Sequence, residues 1–313
     1  MGVVLGAAAA FLIQFSLLWR YRPSCRVGEP EDWNNGPEVG VGHVARLAGP
    51  LFAGYAAHFI ILFVDRAMAT TLADGNVATL NYAYRLALVV GQLSGWAVST
   101  ALFPRMAEQA ANNDLSALRS SLAGALRFTW KIGLPASCGL IVLRTPLVQV
   151  LFERGAFDRA ATTAVSDVLI WYALAVLADA LCQPLWRVIY VWRGAWTVLA
   201  VNGLQTGVRI LCNIALIKHL GCTGLAISAA LGLSIQALVL GQFVRRRMGV
   251  CLTSDWWRYP VRVVLASTLA VIVAGFIVGQ LPGQPTLIAL LISGTLGCLT
   301  YFVALRILKG RSL

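Results

Sequence analysis

Charge is the scarce ingredient of this 313-residue chain. Only 12% of its residues are Asp, Glu, Lys or Arg, while 58% are hydrophobic. A soluble domain of this length carries about a quarter charged residues, so the shortage excludes an ordinary water-soluble fold. Histidine is almost missing, with three in the whole chain, and no H-E-x-x-H occurs. No G-x-x-x-x-G-K-[ST] is present, so no phosphate-binding loop of an ATP motor is encoded. The seven cysteines (Cys25, Cys138, Cys182, Cys212, Cys222, Cys251 and Cys298) form no C-x-x-C pair. Most lie in apolar segments, as small buried hydrophobes rather than as a zinc site or a disulfide frame. No cofactor or metal site is expected. No Ser/His/Asp or Cys/His arrangement suggests an enzyme.

What is present is apolar length. Nine segments are long enough to cross a hydrocarbon core of about 30 Å. They run near 2–20, 46–72, 77–103, 129–151, 160–182, 195–217, 221–244, 260–280 and 285–307. The fold class is therefore all-α: a polytopic helical membrane protein with about nine transmembrane helices. The net charge of +12 comes from basic residues set between these spans, not from a stripe on a polar domain. Membrane topology explains it, and nucleic acid is excluded as a partner. With residues 21–45 placed in the cytoplasm, 18 of the 25 Lys and Arg fall on the inner side and four on the outer. That bias predicts Met1 outside and Leu313 inside.

The remaining three, Arg66, Arg85 and Arg209, lie within spans. Intramembrane charge is costly and faces a cavity or a partner. Arg66 and Arg85 flank the turn Ala73-Asp74-Gly75-Asn76, each roughly 10–14 Å below it along its helix. Asp-Gly favours a tight turn, and Asn76 is expected to cap the next helix. Asp65 and Arg66 are neighbours, about 100° apart around a helix, so one faces a cavity and the other a neighbouring helix. Asp167 and Asp179 fall about 18 Å apart on one helix and cannot form a carboxylate pair. Gly155 and Asp158, in an outer turn with Glu153, Arg154 and Arg159, read as a helix end and a cap.

Residues 21–45, rich in Pro and Gly, read as a linker. Residues 104–127 read as an amphipathic helix at the inner surface, with Leu115, Leu118, Leu122 and Leu126 on one face and Asp114 near an N-terminus. Residues 245–262 combine basic residues with Trp256, Trp257 and Tyr259, the composition of an interfacial anchor that meets membrane lipids.

Several of these stretches together carry a resemblance. They are VLGAAAAFLIQFSLLWR (4–20), VDRAMATTLADGNVATLNYAYRL (64–86), ALFPRMAEQAANNDLSALRSSLAGALRF (101–128), LFERGAFD (151–158), WRVIYVWRG (186–194) and GCTGLAIS (221–228). The chain resembles the MurJ (MviN) lipid II flippases of the MATE-like multidrug/oligosaccharidyl-lipid/polysaccharide exporter superfamily. The resemblance implies two six-helix lobes plus two extra helices in a whole family member. This sequence matches the later part: 1–20 as the last helix of the first lobe, 21–45 as a cytoplasmic linker, 46–250 as the second lobe, and 251–313 as the two-helix appendage. The family's first five helices have no counterpart in it.

The implied function is transbilayer movement of an undecaprenyl-diphosphate-linked peptidoglycan precursor in the bacterial inner membrane. A separate first-lobe chain or a second copy is the implied partner. The alternatives are another polysaccharide lipid or drug as cargo, or a non-transporting scaffold or truncated product. By the resemblance, Arg85 binds the diphosphate, although the acid that commonly precedes this arginine in the family is Tyr84 here; Arg66, at similar depth, is expected to line the same site. Asp65 matches a family aspartate associated with sodium, but Arg209 stands where the family has the first Asn of its Asn-x-x-x-Asp or Asn-x-x-x-Asn pattern. That makes an Asp65–Arg209 charge pair beside Asn213 the expected arrangement.

Overall fold

The computed structural model describes residues 12, 16, 41–191, 195–248, 254–280 and 287–310. The expected span 2–20 lies almost wholly outside the described residues, as does most of the expected linker. Contacts divide the chain into residues 1–45 and a compact unit formed by residues 46–313.

The described residues contain helices and no strand. Helix α1 spans Val41–Ala69 and so begins inside the stretch expected as linker. Its buried positions, Gly54, Ile61, Asp65 and Ala69, follow helical spacing, whereas Phe52, Phe59 and Phe63 are exposed as lipid-facing residues would be. Helix α2 (Asn76–Gly91) continues through a π-helical turn, Gln92–Trp96, into α3 (Ala97–Ala111). Asn76 does not cap α2. Gly75 holds the cap position at φ 91°, which only glycine adopts freely, and Asn76 Nδ2 instead donates 2.8 Å back to Ala73 O.

The expected amphipathic helix over 104–127 is two helices. Residues up to Ala111 finish α3, and α4 (Leu115–Val142) starts after a break. Asn113 takes φ 55°, and the Asp114 carboxylate accepts from Ala117 N–H at 2.9 Å. Consecutive Asn-Asn-Asp supplies both a left-handed residue and a cap, which outweighs the leucine periodicity. The hydrogen bond from Ala117 N–H and the one from the Ser116 hydroxyl hold the Asp114 carboxyl below its usual range. The capping contribution is therefore present at neutral pH and is lost as pH falls through that lowered value.

Helix α5 (Arg144–Phe152) leaves α4 at 74°. Pro146 has no N–H to offer the Val142 carbonyl, which removes a bond that a continuous helix would make. The span expected over 129–151 is thus bent at Leu143. Helix α6 (Arg159–Val191) runs down the middle and meets α2, α3, α4, α5 and α7. Its sequence is small or apolar on most sides, which suits a central helix. At its start, Asp158 caps by accepting from Ala161 N–H at 2.8 Å.

Helix α7 (Ala195–Met248) breaks at Gly221, φ 53° and ψ −128°. Gln236 Nε2 donates 3.0 Å to Asn202 Oδ1, and Ser228 donates to Asn213. Those pairings straddle Gly221, so the two arms run antiparallel and supply two passes. Helices α8 (Ser254–Gln280) and α9 (Leu287–Gly310) pack on each other and against α4, and Tyr301 Oη donates 2.7 Å to Lys131 O. Six described helices are long and apolar enough to cross a membrane, and the bent α4–α5 pair makes a seventh. Apart from the bend at Leu143, the expected spans from 46 to 307 coincide with described helix except at two ends: residues 70–72 form the turn after α1, and 285–286 lie outside the described residues.

A stripe of small residues, Ala83, Ala87, Gly91 and Gly95, lets α2 and its π turn close on α6. A Cβ placed on Gly95 would stand 2.5 Å from Ala180 Cα, and one on Gly91 would stand 2.7 Å from Val176 Cγ1. Small residues at four-residue spacing permit this approach. Gly95→Val is therefore expected to destabilise the bundle by at least about 1–3 kcal/mol, with a smaller loss for Gly91→Ala, where a side chain can turn away. Thermal unfolding in detergent is the measurement. A Gly95→Val variant as stable as the parent would show that this seam is not close-packed.

Candidate functional site

Two apolar clusters stack along the axis of the lobe. One gathers Leu80, Ala87, Leu169 and Leu225, and the other Met106, Leu118, Ile189 and Leu240. A cavity of about 360 Å³ lies among α1, α2, α6 and α7, its wall shared by Tyr172 and Val176 from the first cluster and Trp186 from the second. Its lining is polar at regular helical spacing. Helix α6 contributes Asp179, Gln183 and Arg187 at i, i+4 and i+8. The first arm of α7 contributes Asn202, Gln205 and Arg209, the second arm Gln236, and α1 His58.

Asp65, Arg209 and Asn213 come together at one side of this cavity. The Arg209 guanidinium donates to Asp65 Oδ2. Asn213 Nδ2 donates 2.7 Å to Asp65 Oδ1, and the Ser228 hydroxyl donates to Asn213 Oδ1. Asp65 is 6% exposed, Arg209 5% and Asn213 0%. A buried carboxylate thus meets a buried guanidinium, with a side-chain amide completing its shell. The group ties α1 to both arms of α7. It occupies the Asp65 oxygens with protein donors, a guanidinium among them.

Arg66 and Arg85 behave differently. Both are exposed, and neither lines the cavity. Arg66 continues the stripe Gly54, His58, Leu62 by one turn, which places it on the cavity side of α1 beyond the enclosed space. Arg85 lies between the cavity-lining Tyr84 and Leu88 in sequence, turned to the side of that stripe. Glu153 accepts from Thr162 Oγ1 at 2.8 Å and belongs to the turn before α6. Asp167 is exposed, away from the cavity-lining Asp179.

Arg187 is one of the 18 basic residues that the topology count places in the inner-side loops and span ends. It sits inside α6, with its guanidinium carbon 5.2 Å from the centre of the Phe103 ring. The signal that could have found it is the Asp179–Gln183–Arg187 stripe, three polar groups on one face of an otherwise apolar helix. Asn202, Gln205 and Arg209 repeat that signal in α7.

A family model described as lipid II flippase MurJ matches residues 1–292. Lipid II flippase MurJ of Burkholderia cenocepacia is 27% identical over 232 residues, covering 74% of this chain and 44% of that protein. The "Probable lipid II flippase MurJ" of Buchnera aphidicola is 25% identical over 276 residues, covering 88% of this chain and 53% of that protein. The chain thus spans about half the length of these curated relatives. Among solved structures, lipid II flippase MurJ in an inward closed conformation superposes with a TM-score of 0.72 at 22% identity, covering 85% of this chain and 54% of that one. An outward-facing multidrug resistance MATE family transporter superposes at 0.54 with 15% identity, covering 84% of this chain and 63% of that one. Both share the fold.

Proposed function

Since the chain belongs to the lipid II flippase MurJ family, we propose that residues 46–250 form the second lobe of such a flippase and that α8 and α9 are its appendage. The cargo is an undecaprenyl-diphosphate-linked peptidoglycan precursor, moved across the inner membrane without covalent chemistry. The observation that carries this reading is the pair Arg66 and Arg85. Two guanidinium groups lie within apolar spans, are exposed, and have no carboxylate within ion-pair distance among the described residues. Exposing charge to hydrocarbon is costly, so a surface of this kind calls for a facing lobe and an anionic ligand. Guanidinium presents paired donors to phosphate oxygens, and an exposed face bearing it repels cationic drugs.

Alternating access rocks one lobe against another. The facing lobe can come from a longer form of this chain, from a separate chain or from a second copy. The expected result in liposomes containing a fluorescent polyprenyl-diphosphate glycan is that this lobe moves lipid only when a facing lobe is present. Flipping by a chain shown to be monomeric would overturn the requirement. Absence of flipping with every facing lobe would overturn the cargo.

The basic bias further supports an orientation with the α1–α2 turn outside and the α3–α4 turn in the cytoplasm. A single cysteine at Asp74 is expected to react with an impermeant reagent in intact cells, and one at Ser116 is not. Labelling of Ser116 from outside would invert the topology.

A further inference from the structure

The Asp65 group gathers the donor set of a small cation and holds a guanidinium instead. Around one buried point stand a carboxylate from α1, a side-chain amide from the first arm of α7 and a hydroxyl from the second arm. These are Asp65, Asn213 and Ser228. The Leu225 carbonyl lies beyond them, accepting from the Ser228 hydroxyl at 2.8 Å. Oxygens of carboxylates, carbonyls and water are what hard cations take as ligands. The resemblance drawn from the sequence implies sodium at this aspartate.

The arrangement does not fit that ion. The Arg209 guanidinium donates to Asp65 Oδ2, and Asn213 Nδ2 donates 2.7 Å to Asp65 Oδ1, so each carboxylate oxygen already faces a hydrogen. Asn213 Oδ1, the acceptor of that amide, is turned to the Ser228 hydroxyl. A sodium ion needs those lone pairs, and it would also stand beside a guanidinium, whose charge is permanent. Arg209 is 5% exposed, and like charges repel strongly where water is scarce. The Asp65–Arg209 pair is already neutral, so a second cation would leave an uncompensated buried charge.

The place of the group in the fold gives this a consequence. Asp65 lies on α1, Arg209 and Asn213 lie before the break at Gly221, and Ser228 lies after it. A mobile ion at this crossing would fasten the three segments only where the ion is abundant. A guanidinium fixed to the chain fastens them in any salt, because its effective concentration is set by its attachment. We propose that Arg209 is a built-in counter-cation. Its side chain takes the place against Asp65 that a mobile monovalent cation would fill, and this one residue decides that the lobe binds no sodium there. The ionic requirement follows whatever the cargo is.

The test compares thermal unfolding of the full chain in lipid nanodiscs, in choline chloride and in sodium chloride of equal ionic strength. The parent is expected to unfold at the same temperature in both and to bind no radioactive sodium at Asp65. Arg209→Asn removes the charge and adds an amide oxygen. It is expected to unfold well below the parent in choline and to bind radioactive sodium. At a hundredfold excess of sodium over the dissociation constant, it should regain about 5 °C or more. Arg209→Lys keeps a tethered cation and should show no response to sodium. Asp65→Asn/Arg209→Asn lacks the carboxylate and should lose the response of Arg209→Asn. If Arg209→Asn does not fold, Arg209→Ser, which also offers an oxygen, takes its place. Failure of both to fold or to respond in sodium would overturn the proposal, as would sodium binding by the parent that Asp65→Asn abolishes. In an assembly that flips lipid, exchanging sodium for choline on both sides should leave the parent rate unchanged and slow Arg209→Asn. No flipping in any salt would count against the flippase reading and leave the unfolding result to decide this one.

Discussion

Arg209→Ala is expected to destabilise the lobe by about 3–5 kcal/mol, because it strands the Asp65 carboxylate in a buried site with only an amide for company. The effect is large for a single substitution, given that a whole domain is stable by about 5–15 kcal/mol. Asp65→Ala should cost a similar amount by stranding Arg209 instead. The double substitution Asp65→Ala/Arg209→Ala removes both charges, so its loss should fall well short of the two single losses added together. Denaturant unfolding of the four proteins in detergent closes this cycle. If Arg209→Ala unfolds at the same denaturant concentration as the parent, the pair is not a structural tie. If the losses simply add, the two groups are not coupled.

The second large effect concerns transport rather than stability. Arg85→Ala, in an assembly that flips lipid, is expected to lower the flipping rate by about a hundredfold, the worth of two charge-assisted hydrogen bonds. Arg85 is exposed, so its removal should leave protein levels and thermal unfolding unchanged. Arg85→Lys should restore only part of the rate, since an ammonium has no bidentate fork. Flipping by Arg85→Ala at the parent rate would remove Arg85 from the cargo path. A matching fall in protein level would place its role in folding instead. Both Arg85 and Arg209 are intramembrane arginines, and among the described residues only Arg209 has a carboxylate partner.

Much of the architecture was legible because apolar runs of about twenty residues have few other uses. The helix pair on either side of Gly221 was read as two spans, and the antiparallel pairing of Asn202 with Gln236 is what makes them so. The bend at Leu143 was not read. Its cause, Pro146, lies close to the C-terminal end of the expected span 129–151, where a proline is easily taken for a terminator. The Asn112-Asn113-Asp114 break was hidden by leucines whose spacing fits one continuous helix, although Asn113 and Asp114 carry the backbone signal that overrides it. For the site, Arg66, Arg85 and Arg209 stood out as lone charges in apolar sequence, and Asp65–Arg209 followed from the family resemblance, which sets Arg209 where a neutral Asn is usual. Arg187 did not stand out. It lies near Arg193 and close to the expected end of a span, so charge counting groups it with the inner-side loops and span ends. Helix α6 runs on to Val191, and only that extension carries Arg187 into the cavity wall. Polar spacing along a helix identifies such a residue where proximity to a loop does not.

The seam between α2 and α6 bears on how such a lobe moves. At Gly95 the gap is smaller than a methyl group, and Gly91 is nearly as tight. Two helices fitted this closely have no slack along their common line, so neither can slide past the other without lifting away first. Any swing that opens or shuts the membrane path must then turn α2 and α6 together as one plate. The give has to come from elsewhere, and the single-residue pivot at Gly221 and the elbow at Leu143 are where the backbone already departs from a straight rod.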